Sequence, residues 1–196
     1  MDARLEDRVA ITDLMVGWVH RDQAEWDQLR ELFHPEATIE VTWFEGLAGD
    51  FIDGSMKMGA SDLRSKHLVS PPTITFRGDR ALTITNAMIV VENAKIDLAA
   101  TAHSRLLDRV EKRDGVWRLV SRQCIYDTCH FNFLGNAEGI DAQIVRRYPR
   151  EYAALGYLLE KSGFPVTRVF PTKGSELEIQ MKAAGAAWLN ELADTQ

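Results

Sequence analysis

Apolar residues recur at helical spacing near the start of the chain. Ile11, Leu14, Met15 and Trp18 fall at i, i+3, i+4 and i+7, with Leu5 and Val9 leading in, which predicts one amphipathic helix. Trp26, Leu29, Leu32 and Phe33 predict a second, short helix stopped by Pro35, since proline lacks an N–H and clashes with the preceding turn. The period then drops to two. Ile39, Val41 and Trp43 alternate with Thr38, Glu40 and Thr42, which predicts a strand. Residues 45–58 contain Gly46, Gly49 and Gly54 and read as a loop. Ser61 suits an N-cap and predicts another helical stretch from Ser61 to His67.

From Pro71 the character changes. Thr73 to Arg77, Arg80 to Glu92, Ala99 to Glu111 and Val116 to Tyr126 are rich in Thr, Ile, Val, Leu and aromatic residues. Gly78-Asp79, Asn93 to Asp97 and Asp114-Gly115 separate them, and the last pair is a two-residue hairpin signal. Strands joined by such short turns run antiparallel, because a parallel crossover needs a dozen or more residues. Helices followed by a meander predict an α+β fold: a curved, mainly antiparallel sheet with N-terminal helices on one face forming a cone-shaped pocket. Ala142 to Lys161 reads as helical with a break at Pro149, and Ser175 to Leu192 reads as a last helix. The expected organisation is a cone domain over residues 1–134 and a C-terminal helical extension, 135–196, packed on it.

Composition narrows the function classes. The chain has 196 residues, 45% hydrophobic and 27% charged, enough to bury a core and a pocket. Its 23 Lys+Arg against 29 Asp+Glu give a net charge of −6 without any long basic run, which argues against nucleic acid as a partner. No apolar run approaches the ~20 residues that span a bilayer, so no membrane partner is expected. The opening Met1 to Asp7 is charged and has no signal-peptide core, and two cysteines, Cys124 and Cys129, make no disulfide framework. Together these lead us to expect a cytoplasmic protein.

Several residues could carry chemistry. His67 could be a general base, since its unperturbed pKa of about 6.5 is near neutrality, or a histidine placed at a helix end or in the core. Asp22 could partner it, or could open a capping box Asp22-Gln23-Ala24-Glu25 on the second helix. Arg122 shares one strand face with Val120, Cys124 and Tyr126, an unusual setting for a solvent-facing arginine. His103 lies mid-strand and could line a pocket or serve a structural role. Cys124, Cys129 and His130 lack a C-x-x-C and a fourth ligand at the usual spacing, so no metal site is expected. Phosphate-loop, dinucleotide and nucleophile-elbow motifs are missing from the sequence.

The opening signature Ala10-Ile11-Thr12-Asp13-Leu14, then Asp22, Trp26, Leu29, Phe33 and Ala37, and the late hairpin Glu111 to Arg118, resemble the SnoaL-like branch of the nuclear-transport-factor-2-like superfamily. The resemblance covers roughly residues 5–133. Within that branch the chain is similar to lindane dehydrochlorinase and, more remotely, scytalone dehydratase. At superfamily level its length resembles the lignin-derived diarylpropane formaldehyde lyases. Residues 135–196 and Pro71-Pro72 depart from the dehydrochlorinase pattern.

The resemblance implies a cofactor-independent lyase of aromatic-compound breakdown acting on a small hydrophobic substrate, such as a lignin-derived diaryl compound. In that reading His67 takes a proton, Asp22 orients and stabilises its imidazole, and Arg122 stabilises developing negative charge. Tyr126, His103, Trp43 and Phe131 are the implied substrate contacts. Trp18, Phe44, Met56, Met58 and Phe76 are further wall candidates, of which Trp18 and Phe76 also suit ordinary core packing. A ketosteroid-isomerase-like proton shuttle and a non-catalytic small-molecule-binding module are the alternatives. The resemblance also implies a homo-oligomer, trimer or dimer.

Overall fold

A computed structural model of the chain describes residues 4–133 and 139–191. The predicted boundary at 134/135 and the end of the last helix at Leu192 lie outside the described residues. The chain opens with α1 (Leu5–Val16), a 3-10 helix (Gly17–Arg21) and α2 (Trp26–Glu31). It continues through β1 (Phe33–Val41), β2 (Phe44–Leu47) and α3 (Ala48–Gly59). The sheet is completed by β3 (Leu63–Val69), β4 (Thr73–Arg77), β5 (Arg80–Asn93), β6 (Leu98–Arg113) and β7 (Val116–Asn132). The tail holds α4 (Ala142–Val145), α5 (Ala153–Lys161) and α6 (Glu176–Asn190).

The strand order is β2-β1-β7-β6-β5-β3, with β4 also on β5. All pairs are antiparallel except β1 with β7, as befits the predicted mainly antiparallel α+β cone. One edge of β5 is shared: β4 pairs with residues 80–84 and β3 with residues 87–93. Pro71 and Pro72 lie between those two strands, where their missing N–H groups interrupt no ladder. At the β6–β7 turn Asp114 and Gly115 both have positive φ, 52° and 80°, the backbone a two-residue hairpin turn requires.

Four expectations from the pattern are corrected. Pro35 does not simply end a helix; it lies within β1, in the interval between Phe33 and Thr38 where the register with β7 shifts. Residues 45–58 are not a loop. They form β2 and then α3, which buries Ala48, Phe51, Ile52, Ser55 and Met58 at helical spacing despite three glycines. Gly54 lets the Trp43 ring lie close, since a Cβ there would meet it at 3.1 Å. The Ser61–His67 segment is not a helix: it enters the strand β3 at Leu63, and the Ser61 hydroxyl accepts from Leu63 N in the preceding turn. Finally, helices cover both sheet faces. The N-terminal helices and α5 fill the concave side, while α6 packs Met181 on Leu107 and Ile125 of the convex side.

The tail is stitched to the sheet. Where β1 ends, residues 171–173 take its place beside β7: Tyr126 N donates to Pro171 O and Lys173 N to Tyr126 O, both at 2.9 Å. Arg105 reaches from β6 to Asp127 and to Glu178 of α6. Helix α5 is buried along nearly its whole length. No helix among the described residues is long and apolar enough to cross a membrane.

A Cβ at Gly156 in α5 would lie 2.8 Å from Cγ of Tyr148, an atom close to its own backbone and unable to swing aside. We expect Gly156→Ala to destabilise the protein by about 1–3 kcal/mol through overpacking, outweighing the ~1 kcal/mol gained in helix propensity. Urea unfolding checks this through the midpoint at unchanged slope.

Candidate active site

The alternation along β3 builds one wall of a pocket. Leu63, Ser65 and His67 point inward while Arg64, Lys66 and Leu68 are exposed. The opposite wall comes from the 3-10 helix. Residues three apart eclipse in such a helix, so Trp18 and Arg21 share a side, and both line the hollow. Asp22 follows directly and faces β3. One carboxylate oxygen, Oδ2, accepts the His67 backbone N–H at 2.5 Å; the other, Oδ1, accepts from Nδ1 at 2.7 Å.

Asp22 is therefore not the cap of α2. That helix starts after Glu25, with no side-chain cap bond. Burial alone would raise the Asp22 carboxyl, but the His67 hydrogen bonds and the nearby Arg21 charge outweigh it and hold the group below its ordinary value. Burial is also the largest influence on His67. It pulls the imidazole below its ordinary 6.5, helped by Arg21 and Arg122 and opposed by Asp22. At neutral pH the pair is thus a carboxylate and a neutral imidazole. An ionised carboxylate only accepts, so Nδ1 carries the hydrogen and Nε2 is left with a free lone pair. No described residue hydrogen-bonds to Nε2, and His67 lines the hollow.

The hollow encloses about 650 Å³ between its walls, open solvent at its mouth included. Trp43 and Tyr126 line it, with Met58, Phe51, Val41, Ile89 and Leu106. The Tyr126 hydroxyl is already engaged: it accepts from Thr42 N at 3.0 Å and donates to Thr42 Oγ1 at 3.2 Å. Burial pushes this phenol well above its ordinary value and the Cys124 thiol up to about 11. The tail completes the enclosure. Leu155 and Leu159 of α5 line the hollow, and Phe164 meets Trp43 with ring centres 6.1 Å apart.

Three other sequence candidates stand elsewhere. Arg122 is fully buried and tied to Asp108 by two 2.9 Å bonds, with its guanidinium 4.5 Å from the Trp18 ring centre. It lies behind Trp18 and does not form pocket wall. His103 is exposed on β6, facing away from the hollow. Phe131 is on the concave side but beyond the site, packed on Phe133 and Tyr157. A bulge in β7 next to Tyr126 inverts the inside–outside parity, which is why Phe131 and not His130 turns inward. Among the wall candidates, Trp18 lines the pocket as well as packing in the core, Met56 is exposed, and Phe76 packs on Trp117 away from the hollow.

The sequence reading missed Arg21. It is the continuation of the stripe Ile11, Leu14, Met15, Trp18 by three residues, and a cation on an apolar stripe is the signal that marks it. Its guanidinium donates to Ser65 Oγ at 2.8 Å, Ser55 Oγ at 3.3 Å and the Met58 sulfur at 3.3 Å. Burial lowers its pKa to about 10, against the opposing pull of Asp22, so it remains charged near neutrality. Among the described residues no group of three or more His, Cys, Asp or Glu side chains is placed to hold a metal ion.

Comparison with known proteins agrees with this architecture. Residues 3–123 match the SnoaL-like domain. The chain belongs to the SnoaL-like family. Pea pathogenicity protein 2 of Fusarium vanettenii is 30% identical over 170 residues, covering 81% of this chain and 72% of that protein. Among solved structures, a putative scytalone dehydratase from Novosphingobium aromaticivorans superposes with a TM-score of 0.59 at 20% identity, over 70% of this chain and 99% of its own. A type 2 hexachlorocyclohexane dehydrochlorinase (LinA) superposes with a TM-score of 0.55 at 16% identity, over 72% and 97%. At these identities the two structures establish the fold of this SnoaL-like chain, a curled sheet with helices over its mouth.

Arg122→Met would leave Asp108 charged, buried and unpaired. We expect a loss of about 3–5 kcal/mol in chemical denaturation, while the double variant Asp108→Leu/Arg122→Met recovers most of it.

Proposed function

We propose that this SnoaL-like protein is a cofactor-independent lyase acting on a small, largely hydrophobic, aromatic substrate. One observation carries the reading: an imidazole clamped by Asp22 at Nδ1 lines an apolar hollow, and no described residue hydrogen-bonds to its Nε2. The lone pair on Nε2 takes a proton from carbon or from a hydroxyl of the bound substrate. The Asp22 carboxylate holds the tautomer and stabilises the imidazolium that forms.

The protonation of the other lining groups bears on where the proton goes next. Of the pocket-lining titratable groups, Arg21 keeps its proton near neutrality, and Cys124 and Tyr126 are raised far above it. His67 is then the group that both abstracts and returns a proton. In a dehydration, the C–H proton moves to Nε2, the C–O bond breaks, and the departing hydroxide takes that proton to leave as water. Loss of a halide would leave the proton on His67 for solvent to remove. The tied Tyr126 hydroxyl supports an isomerase as the second reading, because a proton lifted and returned by one imidazole needs no separate acid.

A panel of small aromatic alcohols, halides and diaryl propanes, incubated in D2O and followed by mass spectrometry, separates the readings. A lyase releases water, halide or formaldehyde. An isomerase returns a product of unchanged composition, carrying deuterium where solvent exchange occurs. Full-chain protein that binds panel members yet causes neither change is a binding module. With a turned-over substrate, His67→Ala should lower kcat by about 10²- to 10⁴-fold. Near-wild-type turnover in that variant would remove His67 as the base.

The pH profile follows from the direction of the His67 shift. The base works as the neutral imidazole, and its pKa in the folded protein lies below 6.5. The acid limb should therefore have its midpoint below pH 6.5, with more than half of the maximal activity left at pH 6.5. The acid limb of kcat/KM for the free enzyme reads this directly.

A further inference from the structure

We propose that Arg21 is the oxyanion-binding residue of this site, and that the substrate carries a carbonyl or phenolic oxygen conjugated to the bond His67 attacks. The inference rests on His67 acting as the base. It assigns to Arg21 the stabilising role that the family resemblance implied for Arg122.

Geometry comes first. Arg21 and His67 line the same hollow and are linked by one carboxylate: Asp22 Oδ1 is 2.7 Å from His67 Nδ1 and 3.7 Å from Arg21 Nη1. A ligand in contact with Nε2 is thus within reach of a guanidinium as well. Arg122 has no such access, since Trp18 stands between it and the hollow.

Donor supply is the second argument. A guanidinium has five N–H donors. Arg21 uses three, two on serine hydroxyls and one on the thioether sulfur of Met58, a weak acceptor. Asp22 at 3.7 Å is too far to accept a hydrogen bond, and both its oxygens already serve His67. Donors therefore remain for an incoming oxygen, and the Met58 sulfur is easily displaced by a better acceptor.

Charge is the third. With His67 neutral, Arg21 and Asp22 cancel, and behind Trp18 so do Arg122 and Asp108. Moving a substrate proton to Nε2 leaves the walls with one uncompensated positive charge among Trp18, Phe51 and Trp43. A lone charge in such surroundings is costly. It is tolerated when the ligand gains the matching negative charge, as an enolate or phenolate does, and when that charge rests against Arg21. The balance is closed: an O–H or C–H bond breaks, an N–H bond forms on His67, and the electron pair moves to the ligand oxygen.

The competing explanation is that Arg21 only ties the 3-10 helix to α3 and β3 through Ser55 and Ser65. Two probes separate the cases: 4-nitrophenol, whose phenolate absorbs visible light, and 4-nitrotoluene, a neutral molecule of similar shape. Equilibrium binding to the full chain near neutral pH should favour the phenolate over 4-nitrotoluene by tenfold or more. Arg21→Met should weaken phenolate binding by about 10- to 100-fold, the loss of a charge-assisted hydrogen bond, and leave 4-nitrotoluene within about twofold. A phenolate preference that survives Arg21→Met overturns the inference. So does a wild-type protein that binds both probes equally, or neither. If Arg21→Met loses both probes through damage to the fold, Arg21→Lys decides: keeping the preference supports an anion site, losing it overturns one. Failure of the lyase reading looks different, with no turnover across the panel while the Arg21-dependent preference stands.

Discussion

One carboxylate organises the functional end of this molecule. Asp22 grips His67 twice, once at the backbone N–H and once at the ring, across 45 residues of chain. The first bond fixes the strand and the second fixes the imidazole on it, so ring position and tautomer follow from a single contact. Both partners are largely shielded, at 7% and 13% side-chain exposure, which keeps the bonds out of competition with water. The backbone grip also joins the 3-10 helix to β3, an outer strand of the sheet. Together with the Arg21 bond to Ser65 Oγ, it holds the face of β3 that carries Leu63, Ser65 and His67 against the helical layer.

The interior holds two arginines with opposite duties. Arg122 is neutralised by Asp108 through Nε and Nη2, leaves its Nη1 without a partner, and caps the far side of Trp18. Trp18 in turn stacks on Phe51, with ring centres 5.5 Å apart, and meets His67 edge-on at 5.8 Å. Arg122 thus acts on the site through Trp18 and through its field, which adds to the lowering of the His67 pKa. Arg21 is on the near side, balanced in charge by Asp22 at 3.7 Å but hydrogen-bonded only to neutral hydroxyls and a sulfur. Buried ionisable groups with perturbed pKa values gather at ligand sites.

The tail is part of the same enclosure. β7 outruns β1, and residues 171–173 take up the backbone groups that β1 leaves open. That docking brings α5 across the concave face, where Leu155 and Leu159 become pocket wall and Tyr152 rests on Tyr126 at 5.1 Å. Replacing water at the mouth of the cone with aliphatic side chains lowers the local dielectric and strengthens every charge interaction inside.

Local pattern by itself determined the later strands, their short turns and the helices α1 and α6, because each is periodic and bounded by turn residues. It ended β7 six residues early, at Tyr126, and ran a helix through residues 146–152, which are turns between α4 and α5. The α+β class and the mainly antiparallel sheet follow from those elements. Local pattern failed where function or close packing intrudes. In β3 the inward positions include Ser65 and His67, so the alternation that marks a strand is hidden by polar residues facing the site. In α3 three glycines masked a buried stripe, one of them packed closely under the Trp43 ring. Only the tertiary structure decided that Asp22 turns to β3 and not to the start of α2, that Trp18 screens Arg122, and that Arg21 faces the hollow. Those outcomes depend on the 3-10 geometry that follows α1 and on the curl of the sheet. Both arise from contacts between residues far apart in the chain, which no local periodicity records.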